Sequence, residues 1–238
     1  MKKLILFLTI LLTGITLSSC LEGSEAQFSG SSDFAYITKD KAGLVVARIF
    51  NRGQGGLITS PEIKQMTPGE FKFMTYSWTE SMGTVTSNGY VVYNAQVAPN
   101  SVDIPRTALM RATPPVIEDP NYFLMQPAAY DSGPFFDDNW LIEYTYKKGE
   151  NASLQFYLYG TSSNPDEYII DVRMVKAAAS TGNEVVKDYI VVDLSDIREM
   201  YPPSGDNAKE ITLKFRYYRD GQTGLFTTSA YKMVVATT

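Results

Sequence analysis

From Ile211 to Tyr218 the chain sets Ile211, Leu213, Phe215 and Tyr217 against Thr212, Lys214, Arg216 and Tyr218, an apolar residue at every second place. Only an extended strand puts alternate side chains on one face, so this run belongs in a sheet whose apolar side is covered. The pattern recurs. Trp140, Ile142, Tyr144 and Tyr146 alternate with Leu141, Glu143, Thr145 and Lys147, and Leu154, Phe156 and Leu158 follow across Lys148-Gly149-Glu150-Asn151, which reads as a hairpin turn. Ile170, Val172 and Met174 make a further strand, Tyr189 to Val192 another, and Tyr231, Met233 and Val235 the last. Strands with one apolar face each predict two antiparallel sheets packed face to face. One helical interlude is expected over 195–200, with Ser195 as N-cap and Tyr201-Pro202-Pro203 as its stop.

The earlier part of the chain is also β in pattern, with shorter pieces. Segments 34–38 and 44–50 flank the turn Lys39-Asp40-Lys41-Ala42-Gly43, and Phe71, Phe73 and Thr75 alternate with Lys72, Met74 and Tyr76. Ser87-Asn88-Gly89 then leads into a strand over 90–97, Asn-Gly being a strong hairpin signal. Strands this short suit a small barrel. Thr113-Pro114-Pro115 and Asp119-Pro120 resist continuation of a sheet, which places a domain boundary near residue 118. The expected fold is all-β: a small β-barrel over 34–118, then an antiparallel β-sandwich over 119–238.

The N-terminus carries an address. Lys2 and Lys3 precede an apolar run from Leu4 to Leu12, eased by Thr13-Gly14, which is the order of a secretory signal peptide over 1–19. The run is too short for a membrane span, which takes about 20 apolar residues. Leu17-Ser18-Ser19-Cys20 is similar to the lipobox of bacterial lipoproteins, in which the cysteine is acylated and becomes the mature N-terminus. Residues 20–33 are small and polar and read as a lipidated flexible tether. Glu22 and Glu25 resemble the acidic signal that sends Bacteroidetes lipoproteins to the cell surface, and read equally well as solvated linker carboxylates.

Composition removes whole classes of chemistry. The chain has no histidine, so the commonest neutral-pH base and the usual imidazole metal ligand are missing, and its one cysteine is Cys20. Triads, Cys-His pairs and His-containing zinc sites are excluded. Loss of residues 1–19 removes Lys2 and Lys3, leaving 19 basic against 26 acidic residues and lowering the formal charge from −5 to −7. That balance argues against nucleic acid as a partner. No cofactor is expected, and the chain is expected not to be an enzyme.

Candidate sites are few. Tyr157, Tyr159 and Tyr218 fall on the polar phase of their strands, where an exposed aromatic face could bind a sugar or a protein. Cross-strand pairing on a solvated sheet is the favoured alternative. Asp137 and Asp138, with Asp131 upstream, form the densest acidic spot, but the Asp-x-Asp-x-Asp spacing of a calcium loop is absent. Glu118, Asp119 and Asp206 offer no better constellation. Arg48 admits a comparison with pilins of the same phylum, similar lipoproteins cleaved after an arginine, although Leu44 to Phe50 reads as an internal strand.

Taken in order, Cys20, Pro68-Gly69-Glu70-Phe71-Lys72-Phe73-Met74-Thr75-Tyr76, Gly89-Tyr90-Val91-Val92-Tyr93-Asn94 and Asp138-Asn139-Trp140-Leu141-Ile142-Glu143-Tyr144-Thr145-Tyr146 resemble the NigD-like lipoproteins of Bacteroidetes. Phe71-Lys72 departs from that pattern, as does the lack of a histidine in the second domain. The resemblance implies an oligonucleotide-binding-type barrel followed by a sandwich, and no particular activity. The expected role is an outer-membrane or surface lipoprotein serving as a non-catalytic binding or structural module. Its expected partners are the membrane, through the lipid, and an envelope protein. A glycan-binding accessory lipoprotein and a pilin-type subunit are the alternatives. Intact-mass measurement of protein purified from membranes should show a mature N-terminus at lipid-modified Cys20, and Cys20→Ser should move the protein out of the membrane fraction.

Overall fold

The computed structural model describes residues 25–50, 56–116, 122–130, 136–147, 152–161, 164–176, 184–201 and 208–236. The signal peptide and Cys20 lie outside these residues. The fold is all-β, as the alternation predicts. The first sheet comprises β1 (Gln27–Lys39), β2 (Val45–Phe50), β3 (Gly56–Thr59), β4 (Phe71–Thr79), β5 (Thr84–Ser87), β6 (Tyr90–Asn94), β7 (Gln96–Val97) and β8 (Val102–Ile104). They run in the order β5-β6-β3-β2-β1-β4-β7, with β8 also on β4. The sheet curls around a core of Ile37, Ile49, Ile58, Ile63, Met74 and Trp78. Asn88 and Gly89, at φ 51° and 82°, turn β5 into β6 as their sequence predicts.

Strand β1 begins earlier than expected. Residues 27–33, read as tether, are strand: Gln27 to Gly30 pair with Thr79 to Tyr76 on β4. Backbone pairing needs no apolar sequence, and the one large side chain, Phe28, stacks on Trp78 at 5.1 Å. The ladder slips between Gly30 and Asp33. There the Tyr76 ring lies over Gly30, where an added Cβ would fall 2.4 Å from it, and the Tyr76 hydroxyl donates to Asp33 Oδ2 at 3.0 Å. Glu25 is also docked, its carboxylate accepting the Ser81 N–H.

The second sheet comprises β9 (Arg106–Met110), β10 (Ala128–Tyr130), β11 (Asn139–Lys147), β12 (Ala152–Thr161), β13 (Glu167–Lys176), β14 (Val185–Asp193), β15 (Lys209–Tyr218), β16 (Leu225–Thr227) and β17 (Tyr231–Ala236). Its order is β10-β11-β14-β9-β12-β13-β15-β16, with β17 also on β15. It folds over a core in which Trp140, Ile142 and Val192 share one apolar cluster with Phe156, Val172, Leu213, Phe215 and Met233.

Two expectations change here. The sheet crossing lies between Ile104 and Arg106, ahead of the division expected at residue 118, because β9 closes the second sheet by pairing in parallel with both β14 and β12. Without β9 those two strands would present bare edges. For the same reason β11 and β12 are not a hairpin: β14 and β9 stand between them, and residues 148–151 lie outside the described set. The β13–β15 ladder is parallel as well. The helix α1 (Ser195–Glu199) is present, but its N-cap is Leu194, and the Ser195 N–H goes to Asp193 Oδ1 at 3.0 Å.

A third apolar cluster joins the two sheets: Phe34, Phe71 and Ile104 from the first, Phe136, Leu141 and Val191 from the second. Phe136 is fully buried, with its ring 4.9 Å from Phe34, 5.9 Å from Phe50 and 6.2 Å from Tyr36. Phe73 meets Tyr189 edge-on at 4.8 Å. Truncation of a buried phenylalanine costs about 3–5 kcal/mol. Calorimetry of Phe136→Ala should therefore show a loss of that order, with one unfolding transition broadening or splitting into two as the lobes uncouple.

Candidate functional site

Phe136 is followed by Asp137 and Asp138, both in the left-handed region at φ 53° and 59°. Such backbone is tolerated by aspartate when its surroundings hold it, and the contacts here do so. Asn139 Nδ2 donates to the carbonyls of Phe136 at 2.8 Å and Asp137 at 3.1 Å, while its Oδ1 accepts from Arg106 Nε at 2.8 Å. Asp137 turns back to the first sheet and accepts from Arg48 Nη1 at 3.0 Å. Asp138 turns into the second sheet: Arg198 of α1 grips both its oxygens, Nη2 at 2.7 Å, and gives Nη1 to the Val235 carbonyl at 3.2 Å. The Leu194 N–H closes on the Asp138 carbonyl at 3.0 Å. Burial first, then the Asp137 carboxylate, pushes the Tyr36 hydroxyl above its ordinary pKa, which keeps it a hydrogen-bond donor beside that acid.

Asp137 and Asp138 serve opposite lobes through ion pairs, and among the described residues no group of three acids, cysteines or histidines is placed to hold a metal. Asp131, Glu118, Asp119 and Asp206 lie outside the described residues. Arg48 sits inside β2, paired on one side to Tyr36 and on the other to Leu57, its guanidinium 5.7 Å from the Tyr36 ring.

The tyrosines expected to form an exposed face are placed differently. Tyr157 is 7% exposed, and its hydroxyl donates to Gln155 at 2.6 Å. The side chain of Tyr159 lies outside the described residues. Tyr218 is half-buried, with its ring 5.2 Å from the Arg173 guanidinium. What displaces the aromatic platform is a charged cluster on the outward phase of β13 and β15. Asp171 is 0% and Arg173 4% exposed, although neither faces the sandwich core. Arg216 clasps Asp171 with Nε to Oδ1 at 2.9 Å and Nη2 to Oδ2 at 2.6 Å, and Arg173 Nη2 reaches Oδ1 at 2.8 Å. Register builds the cluster: Tyr157 stands beside Asp171, Asp171 beside Arg216, and Gln155 beside Arg173. The sequence carried one sign of it, the Asp-x-Arg alternation on the polar phase of Ile170-Asp171-Val172-Arg173-Met174.

No family model and no curated protein sequence matches the chain. Solved structures do. An uncharacterized protein of Parabacteroides merdae superposes with a TM-score of 0.59 at 9% identity, over 85% of this chain and 98% of that one. A protein described as a lipoprotein from Bacteroides fragilis gives 0.53 at 12% identity, over 89% and 99%. A NigD-like immunity protein of Bacteroides caccae gives 0.52 at 12% identity, over 85% and 96%. The chain shares its fold with these proteins.

The three superpositions extend over 85%, 89% and 85% of this chain. The strained pair Asp137-Asp138 sits where one sheet meets the other, which separates the worth of its two ion pairs. Breaking a buried pair costs about 3–5 kcal/mol, whereas exposed pairs contribute about 0–1 kcal/mol. Asp138 is 5% exposed and the Asp137 side chain 53%. Denaturant unfolding should show a loss of several kcal/mol for Asp138→Asn, on the scale just cited for buried pairs, and almost none for Asp137→Asn.

Proposed function

We propose that the chain is a lipid-anchored envelope protein, held at the outer membrane by Cys20, that acts as a non-catalytic binding or structural module. The observation that carries the reading is the shared fold over nearly the whole chain, with a lipoprotein and an immunity protein among its bearers, joined to the lipobox-like Leu17-Ser18-Ser19-Cys20. The absence of histidine from the sequence supports a non-catalytic role, as does the commitment of Asp137, Asp138 and Asp171 to arginine partners. The Bacteroides caccae protein is an immunity protein, and the counterpart reading here is recognition of a protein partner in the envelope. A glycan-binding accessory role is the second reading, favoured by the pairing of Tyr218 with Arg173 on the outward side of the second sheet.

Affinity capture from native outer membranes, run beside a glycan array, separates the two. A reproducible protein partner with no glycan signal is the expected result. A glycan signal lost in Tyr218→Ala establishes the accessory role instead. Turnover of any glycan by the pure protein, abolished at one carboxylate, overturns the non-catalytic reading.

A further inference from the structure

The first sheet ends on β5, which pairs with β6 on one side and with no described residue on the other. The hairpin sets which backbone groups face that free side. Asn88 and Gly89, both at positive φ, form a two-residue turn, so the flanking Ser87 and Tyr90 are a hydrogen-bonded pair, as are Val85 and Val92 further along. Thr84 and Thr86 alternate with them, and their N–H and C=O groups point off the edge of the sheet. Such an edge is a template for another strand unless something guards it. Strand β8 has Asp103 and β17 has Lys232, each a charge that opposes pairing. Strand β5 has no such guard: from Ser81 to Val102 no residue is charged, in a chain that is 20% charged. The same hairpin exposes Val85, Val91 and Tyr90, at 39%, 51% and 67%.

We propose that β5 is the surface on which two copies of this chain meet, pairing antiparallel about a two-fold axis at Val85. The occupant follows from register and charge. Thr84 and Thr86 are the outward residues, so a half-turn about Val85 sets Thr84 of each copy opposite Thr86 of the other, and every outward N–H and C=O finds a partner. The two Val85 side chains then face each other in a non-hydrogen-bonded pair, where Cα atoms approach to about 4.5 Å and apolar side chains pack. One patch serves both copies, as a two-fold interface requires. Charge restricts the contact to this place. The sequence carries 26 acidic against 21 basic residues, so two copies repel on the whole, and like charges are costly when brought together. The uncharged span lets the copies touch with no carboxylate between them. A four-residue edge falls short of the roughly 1,200 Å² of a stable interface, so the pair is weak in solution, and two copies held on one membrane would pair more fully. The pairing goes beyond the binding-module reading and stands without it, since it requires neither a lipid on Cys20 nor an envelope partner.

The test is disulfide trapping. Cys20 is the only cysteine, so in the full chain carrying Cys20→Ser, Val85→Cys supplies a single thiol. The spacing of the opposed Cα atoms lies within the roughly 4.4–6.8 Å that a disulfide spans. Oxidation of the purified protein at high concentration should give a covalent dimer on a non-reducing gel, while Val234→Cys, at an exposed residue of β17, should stay monomeric. Mixing reads the register: Thr84→Cys and Thr86→Cys proteins should link to each other and neither to itself. Thr86→Pro removes an outward N–H and leaves the bonds of Val85 and Ser87 to β6 in place, so Val85→Cys combined with Thr86→Pro should lose the dimer. The proposal falls if Val85→Cys stays monomeric, if Val234→Cys links as readily, or if Thr84→Cys links to itself as fast as to Thr86→Cys. Should Thr86→Pro fail to fold, the mixing experiment decides alone.

Discussion

One phenylalanine ring does most to make two sheets into one body. Phe136 enters an aromatic setting built by Phe34, Tyr36 and Phe50 of the first sheet, and Phe71 stacks on Tyr36 at 4.6 Å and on Phe34 at 5.7 Å to wall it in. Burial of such a ring contributes about 1.5–3 kcal/mol, comparable with the strain of two consecutive left-handed aspartates. The polar contacts then decide direction. Asp137 pairs with Arg48 of one lobe and Asp138 with Arg198 of the other, so the same short turn that inserts the ring also ties the two sheets together. Asn139 ties off the carbonyls that the turn would otherwise bury unpaired.

Much of this fold is legible in the sequence, and what escapes has a common cause. Alternation finds β11, β13 and β15 because each has one wet and one dry face, and Asn88-Gly89 marks its hairpin because only such residues adopt that turn easily. Alternation says nothing of partners. Arg106–Met110 has no strong period, yet it closes the second sheet by lying parallel to two strands, and no local signal announces a neighbour so far along the chain. Residues 27–33 failed for the converse reason: their serines and glycine look like linker, and their strand character comes from the β4 edge that they meet. Pro114 and Pro115 do lie outside any strand, but after the crossing rather than at it.

The site was legible in part. Tyr157 and Tyr218 lie beside Asp171 and Arg173 on one face of the sheet. Exposure does not follow from phase. A buried ion pair on the outside of a sheet gathers aromatic side chains over itself, because the rings shield the charges and the guanidinium attracts their faces. The acidic pair shows the same rule from the other direction. Adjacent aspartates with no histidine nearby read as solvated turn or weak metal site, and become structural once Arg48 and Arg198 arrive from remote strands and helix.

The early start of β1 has a mechanical meaning. If Cys20 carries the proposed lipid, seven Cα-to-Cα steps separate it from Gln27, where the chain is hydrogen-bonded into the first sheet. Fully stretched, that leash reaches about 25 Å, less than a bilayer with its headgroups is thick. A protein held by so short a leash would search little of the space around it. On the proposed anchor the first lobe would ride against the headgroups, with the second joined to it through Phe136.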